Sequence, residues 1–123
     1  MTKYENGKIY AIISKQNNLC YVGHTVETLR SRLSKHLTDF KGFMGELNAY
    51  RNYRGSFDIL IQDDYEMILL QNYPCSCKKI LEKQEAKWIF KMSSIYEITN
   101  KNLPARLGYE DLEDIKNLPN PTM

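Results

Sequence analysis

Two tyrosines, an arginine, two histidines and a glutamate are the residues of this chain whose types and spacing suit phosphate chemistry. Tyr10 lies in an apolar, β-branched run, Lys8 to Ser14, and Tyr21 in a second short run, Leu19 to Gly23. Lys15 to Asn18 is a polar turn cluster between them, so the pair reads as a β-hairpin. Arg32 and His36 are four positions apart, a spacing that stacks them on one side of a helix. A planar guanidinium holds two phosphate oxygens and offsets charge as it develops, and an imidazole beside a phenol can share its proton. Glu85 recurs with Leu81, Trp88, Ile89 and Met92 at helical steps, which turns its carboxylate toward the core side. A carboxylate in that position needs an ion-pair partner or a metal.

The elements that must position these side chains follow from periodicity. Thr25 or Thr28 can cap a helix whose stripe is Val26, Leu29, Leu33, Leu37 and Phe40. If Ile9, Ile13, Cys20 and Val22 face one core, alternation puts Tyr10 and Tyr21 together on the opposite face of the hairpin. A short helix is expected from about Phe43 to Tyr53, ended by Gly55-Ser56. Phe57–Ile61 and Tyr65–Gln71 read as two strands of a second hairpin. Ser76 is placed to cap a helix from Cys77 to Met92, with Lys78, Lys79, Lys83 and Lys87 off its apolar stripe. Asn100 precedes a loop broken by Pro104, and a last helical turn or two spans Glu110 to Lys116.

Taken in order, these residues resemble the GIY-YIG nucleases. The half-motifs are Lys8-Ile9-Tyr10 and Tyr21-Val22-Gly23, followed by Gly23-His24-Thr25, a helix with Arg32 and His36, Glu85 before Trp88-Ile89, and then Asn100. The resemblance runs from Gly7 to about Arg106. It departs from the family pattern at Lys8, with Gly7 one place early, and His24 fills a variable position. The resemblance implies a small α/β (α+β) domain, a three- to four-stranded antiparallel sheet flanked by about three helices. It also implies a metal-dependent endonuclease that hydrolyses DNA phosphodiester bonds. Its site would be Tyr10, Tyr21, Arg32, His36, Glu85 and Asn100, with Glu85 holding Mg²⁺ or Mn²⁺. Tyr10, alone or through His36, would be the base and Tyr21 would position the water or the base. Arg32 would meet the phosphoryl oxygens, and Asn100 would support the arrangement. His24, next to the second half-motif, is either a phosphate contact or a turn residue. Two other readings are a non-catalytic nucleic-acid-binding module that keeps the fold, and the same chemistry turned to branched DNA or RNA. A protein-interaction domain with an ordinary core is a third, and it expects no convergence of these side chains.

Length and composition set the frame. A chain of 123 residues is expected to form one domain, here residues 1–116 with 117–123 as a flexible tail. Its 42% apolar and 26% charged residues are ordinary for a globular protein, and a net charge of +2 leaves any basic footprint local. No apolar run is long enough to span a membrane, and the first residues lack a signal-like apolar segment. Three cysteines, an odd number in a chain large enough to need no staples, point to reduced thiols and an intracellular setting, cytoplasmic or nucleoid/nuclear, not secreted. Cys75-x-Cys77 is too closely spaced for the usual zinc pair.

Overall fold

The computed structural model describes residues 2–45 and 54–121. A short 3₁₀ turn at Lys3–Asn6 leads into strands β1 (Lys8–Ser14) and β2 (Leu19–Thr25), then helix α1 (Leu29–Gly45). Helix α2 (Phe57–Leu60), strand β3 (Tyr65–Asn72), helix α3 (Lys78–Met92), strand β4 (Glu97–Ile98) and helix α4 (Leu112–Lys116) complete the chain, with a 3₁₀ turn at Tyr109–Asp111 before α4. No helix among the described residues is long and apolar enough to cross a membrane.

The sheet has the order β3-β1-β2-β4. β1 pairs antiparallel with β2 and with β3, as a hairpin and a return strand should. The expectation of a purely antiparallel sheet fails at its edge, because β4 runs parallel to β2. β4 is only two residues long, and it is fed by α3, which crosses the sheet before the chain returns; such a crossover gives a parallel neighbour.

The sheet buries both faces. Ile9, Ala11, Ile13, Cys20 and Val22 join Leu81, Trp88, Ile89 and Met92 of α3 in one core. Tyr10 and Ile12 join Phe57, Ile59 and Leu60 in a second, against which Tyr21 and Leu29, Leu33, Leu37 and Phe40 of α1 pack. The two tyrosines therefore share the face that alternation assigns them. Thr28 is the cap of α1: its Oγ1 accepts from the Ser31 N–H at 3.1 Å. Val26 falls before the helix and packs with the first core, outside the stripe assigned to it.

Three local expectations are corrected. Phe57–Ile61 is not a strand: Phe57–Leu60 is a single helical turn. Phe57, Ile59 and Leu60 are all buried, and the adjacent Ile59–Leu60 pair breaks the alternation a strand needs. Phe43 and Met44 belong to the end of α1, and the rest of the helix expected to Tyr53 lies outside the described residues. α3 begins after Cys77, whose side chain makes no capping bond, so Ser76 is not the cap.

The C-terminal segment is held to α3 by charge as well as packing. Lys87, expected on an open polar face, has a side chain only 12% exposed; it bonds Asp114 at 3.0 Å and lies 3.8 Å from Asp111. Lys83 meets Asp111 at 3.3 Å. Leu118, within the stretch expected to be a flexible tail, is buried in the first core.

Candidate active site

The hairpin sets the centre of the site. Tyr10 pairs across the sheet with Gly23, and the Tyr10 phenol lies over that glycine. A Cβ at position 23 would run into the phenol ring and hydroxyl, so only glycine lets this tyrosine lie down across β2. The glycine of Tyr21-Val22-Gly23 is thus a space requirement of the first tyrosine.

α1 then brings its two polar residues to the phenol. Arg32 Nε donates to Tyr10 Oη at 3.1 Å. Tyr10 Oη and His36 Nε2 are 2.7 Å apart, and His36 Nδ1 is 3.0 Å from Ser56 Oγ. With Arg32 occupying the phenol oxygen as donor, the Tyr10 hydroxyl donates to His36 Nε2, and His36 Nδ1–H donates to Ser56. Tyr21 closes the group, packing edge-on to His36 with ring centroids 5.5 Å apart.

Burial governs the protonation of this group. Tyr10 has no exposed surface and His36 is 2% exposed. Burial raises the Tyr10 pKa against the pull of Arg32, so the phenol is neutral. Burial, then Arg32 and Arg54, pushes His36 down to about 4. Tyr21 is also raised, by burial and then by the Glu85 charge. A lone Tyr10 tyrosinate, expected as the base, is therefore opposed by its surroundings, whereas the hydrogen bond to His36 offers its proton a path. Tyr10 and His36 lie beneath the surface, and Tyr21 reaches it.

Glu85 projects from the core-facing stripe of α3, with a side chain 10% exposed. Its partner is not a lysine or arginine. His24 Nδ1 lies 2.7 Å from Glu85 Oε1, so the histidine neither ends a turn nor stands free. Tyr21, Arg54, Glu85 and Asn100 line one cavity of about 270 Å³. Asn100 makes its bonds to the backbone of β2: Oδ1 accepts from Val22 N–H at 2.9 Å and Nδ2 donates to Val22 C=O at 2.7 Å. It holds the strand that carries Tyr21 and His24.

The structure thus joins Tyr10, Arg32 and His36 directly and sets Tyr21, Glu85 and Asn100 around an adjoining cavity. Ser56 escaped the sequence reading because it stood in a helix-breaking Gly55-Ser56 pair. Nothing local marks it as the partner of a histidine twenty residues earlier. Among the described residues no cluster of three or more His, Cys, Asp or Glu side chains forms a metal cage. A single hard carboxylate oxygen still suits Mg²⁺, which keeps waters and takes substrate phosphate oxygens to complete its shell. Glu85 meets that requirement: Oε1 is fixed by His24, and Oε2 makes no hydrogen bond among the described residues.

The family model of the GIY-YIG catalytic domain matches residues 6–94. That span holds every residue of the group except Asn100. No curated protein and no solved structure matches the chain.

Proposed function

Because the chain belongs to the GIY-YIG catalytic-domain family, whose members are endonucleases, we propose that it is a divalent-metal-dependent endonuclease that hydrolyses DNA phosphodiester bonds. The observation that carries this reading is the Arg32 guanidinium anchored on Tyr10 beside a cavity lined by Tyr21 and Glu85. It puts a phenol and a carboxylate around one space open to a phosphate, with a fixed cation lining the neighbouring cavity.

The reaction is an in-line attack of water on phosphorus, with the 3′ oxygen leaving. Arg32 faces the non-bridging oxygens, where charge grows most in the transition state. Its Nε is already engaged by Tyr10, so little side-chain freedom remains to be lost when substrate arrives. Tyr21, the tyrosine with exposed surface, orients the water. The proton that water releases goes to the Tyr10–His36 pair; because that pair lies beneath the surface, Tyr21 or a second water relays it to Tyr10 Oη as the phenol's own proton moves to His36 Nε2. Ser56 keeps His36 in the tautomer whose Nε2 accepts. Glu85 would hold Mg²⁺ or Mn²⁺, which supplies Lewis-acid chemistry to the phosphoryl group and the leaving oxygen. Asn100 keeps β2, and with it Tyr21 and His24, in register.

The test is incubation of supercoiled and branched DNA with the protein and Mg²⁺ or Mn²⁺, with Glu85→Ala alongside. Metal-dependent cutting by the wild type and none by the variant is expected. Equal cutting by both would remove Glu85 from the reaction, and DNA binding without cutting by the wild type would favour a non-catalytic module.

A further inference from the structure

A second cavity, of about 290 Å³, is lined by His24, whose bond partner Glu85 lines the one just described. Lys3, His24, Arg32 and Lys78 are among its lining residues. The cations come from three separate elements: the N-terminal 3₁₀ turn, α1 and the first residue of α3. Lys3 and Lys78 have no ion-pair partner among the described residues, and the Lys3 ammonium stands 5.5 Å from the centre of the Tyr4 ring. The one carboxylate in the lining, Glu27, is already neutralised, with Lys35 Nζ 2.9 Å from each of its oxygens. Cations gathered from distant parts of the chain repel one another, and among the described residues no unpaired carboxylate lines the cavity to offset them. An anion from outside would.

We propose that this cavity is a subsite for a flanking backbone phosphate of the DNA strand being cut, gripped by Lys3 and Lys78. The inference rests on the nuclease reading above. Arg32 lines this cavity while its Nε is held at Tyr10, and His24 lines it while bonded to Glu85. A strand whose scissile phosphate meets Arg32 and Glu85 therefore continues past His24 into the lysine pair. The neighbouring phosphate fixes the direction in which the strand crosses the site, a task that base-independent contacts perform in nucleic-acid complexes.

Three dinucleotides test the assignment: thymidylyl-thymidine without terminal phosphates, and the same molecule with a 5′- or a 3′-phosphate. Binding is followed by NMR titration in Ca²⁺. One of the two phosphorylated forms should bind several-fold more tightly than the bare dinucleotide and shift the Lys3 and Lys78 amides. In the Lys3→Gln/Lys78→Gln double variant that preference should vanish. Its duplex-DNA affinity should fall roughly tenfold at low salt, and its salt slope should shrink by about 0.9, one phosphate's worth. Both lysines are exposed, so the fold should survive, and circular dichroism checks it. Equal affinity for all three dinucleotides, or a preference that persists in the double variant, overturns the subsite. A wild type that shows the preference yet never cuts DNA in Mg²⁺ would sink the nuclease reading while leaving the subsite standing.

Discussion

His24 Nδ1 and Glu85 Oε1 are 2.7 Å apart, a bond that ties strand β2 to helix α3 at the edge of the candidate site. The carboxylate is mostly buried, and a buried carboxylate without a partner is costly. The histidine meets that cost with one N–H and leaves Oε2 uncommitted. A group that orients a ligand in this way commonly changes metal affinity ten- to a hundredfold. His24→Ala should therefore weaken Mn²⁺ binding to the free protein about tenfold. His24→Asn, which keeps an N–H donor close to the Nδ1 position, should recover most of the loss. Titration calorimetry or Mn²⁺ spin resonance measures both. Unchanged affinity in His24→Ala would leave the bond a structural tie only.

Arg32→Ala should separate chemistry from docking. The turnover rate should fall roughly a hundredfold or more, the scale of a preorganised donor to developing charge. DNA affinity measured in Ca²⁺ should fall far less. Single-turnover rates at saturating DNA beside a binding isotherm make the comparison. A cleavage rate intact at saturation would reduce Arg32 to a docking charge.

His36 should make the fold acid-sensitive. Its pKa is lowered from 6.5 to about 4 by burial and by Arg32 and Arg54, so below neutrality the unfolded chain binds a proton that the folded chain refuses. The contribution is intact above pH about 6.5 and is lost as pH falls toward about 4, up to on the order of 3 kcal/mol. Urea denaturation of the wild type and of His36→Asn at pH 7.5, 6 and 4.5 reads the difference. The wild type should lose more stability than the variant across that window, and parallel curves would contradict the buried neutral imidazole.

Lys87→Ala should act on stability and not on DNA. Its ammonium is spent on Asp114 and Asp111, which fasten α4 and the preceding turn to α3. The variant should melt a few degrees lower, while its DNA affinity and salt slope stay at wild-type values. A wild-type Tm with a flatter salt slope would make Lys87 a phosphate-docking charge instead.

What was legible in the sequence divides along physical lines. Alternation assigned Tyr10 and Tyr21 to one face because a strand has only two faces and the other was filled with Ile9, Ile13, Cys20 and Val22. Helical steps turned Glu85 inward because Leu81, Trp88 and Met92 left it no other side. The four residues of α2 offered too short a pattern to separate a turn of helix from a strand. β4 was invisible for the same reason, since two residues carry no period. The partners of Lys87 and His24, and the Ser56 partner of His36, were beyond reach because each is supplied by an element distant in the chain, where spacing carries no information. Ser14 shows the same limit, with its hydroxyl bonded at 2.7 Å to Asp64 fifty positions on.

Asn100 has a consequence outside chemistry. β4 covers β2 only as far as Cys20, and beyond it the amide side chain of Asn100 takes both backbone groups of Val22. A side chain thus finishes the edge that a two-residue strand leaves incomplete. Exposed edges recruit strands from other molecules. Truncating this asparagine would bare an N–H and a C=O side by side, next to the very tyrosine the strand carries. The residue is a plug in the open edge of the sheet as well as a part of its geometry.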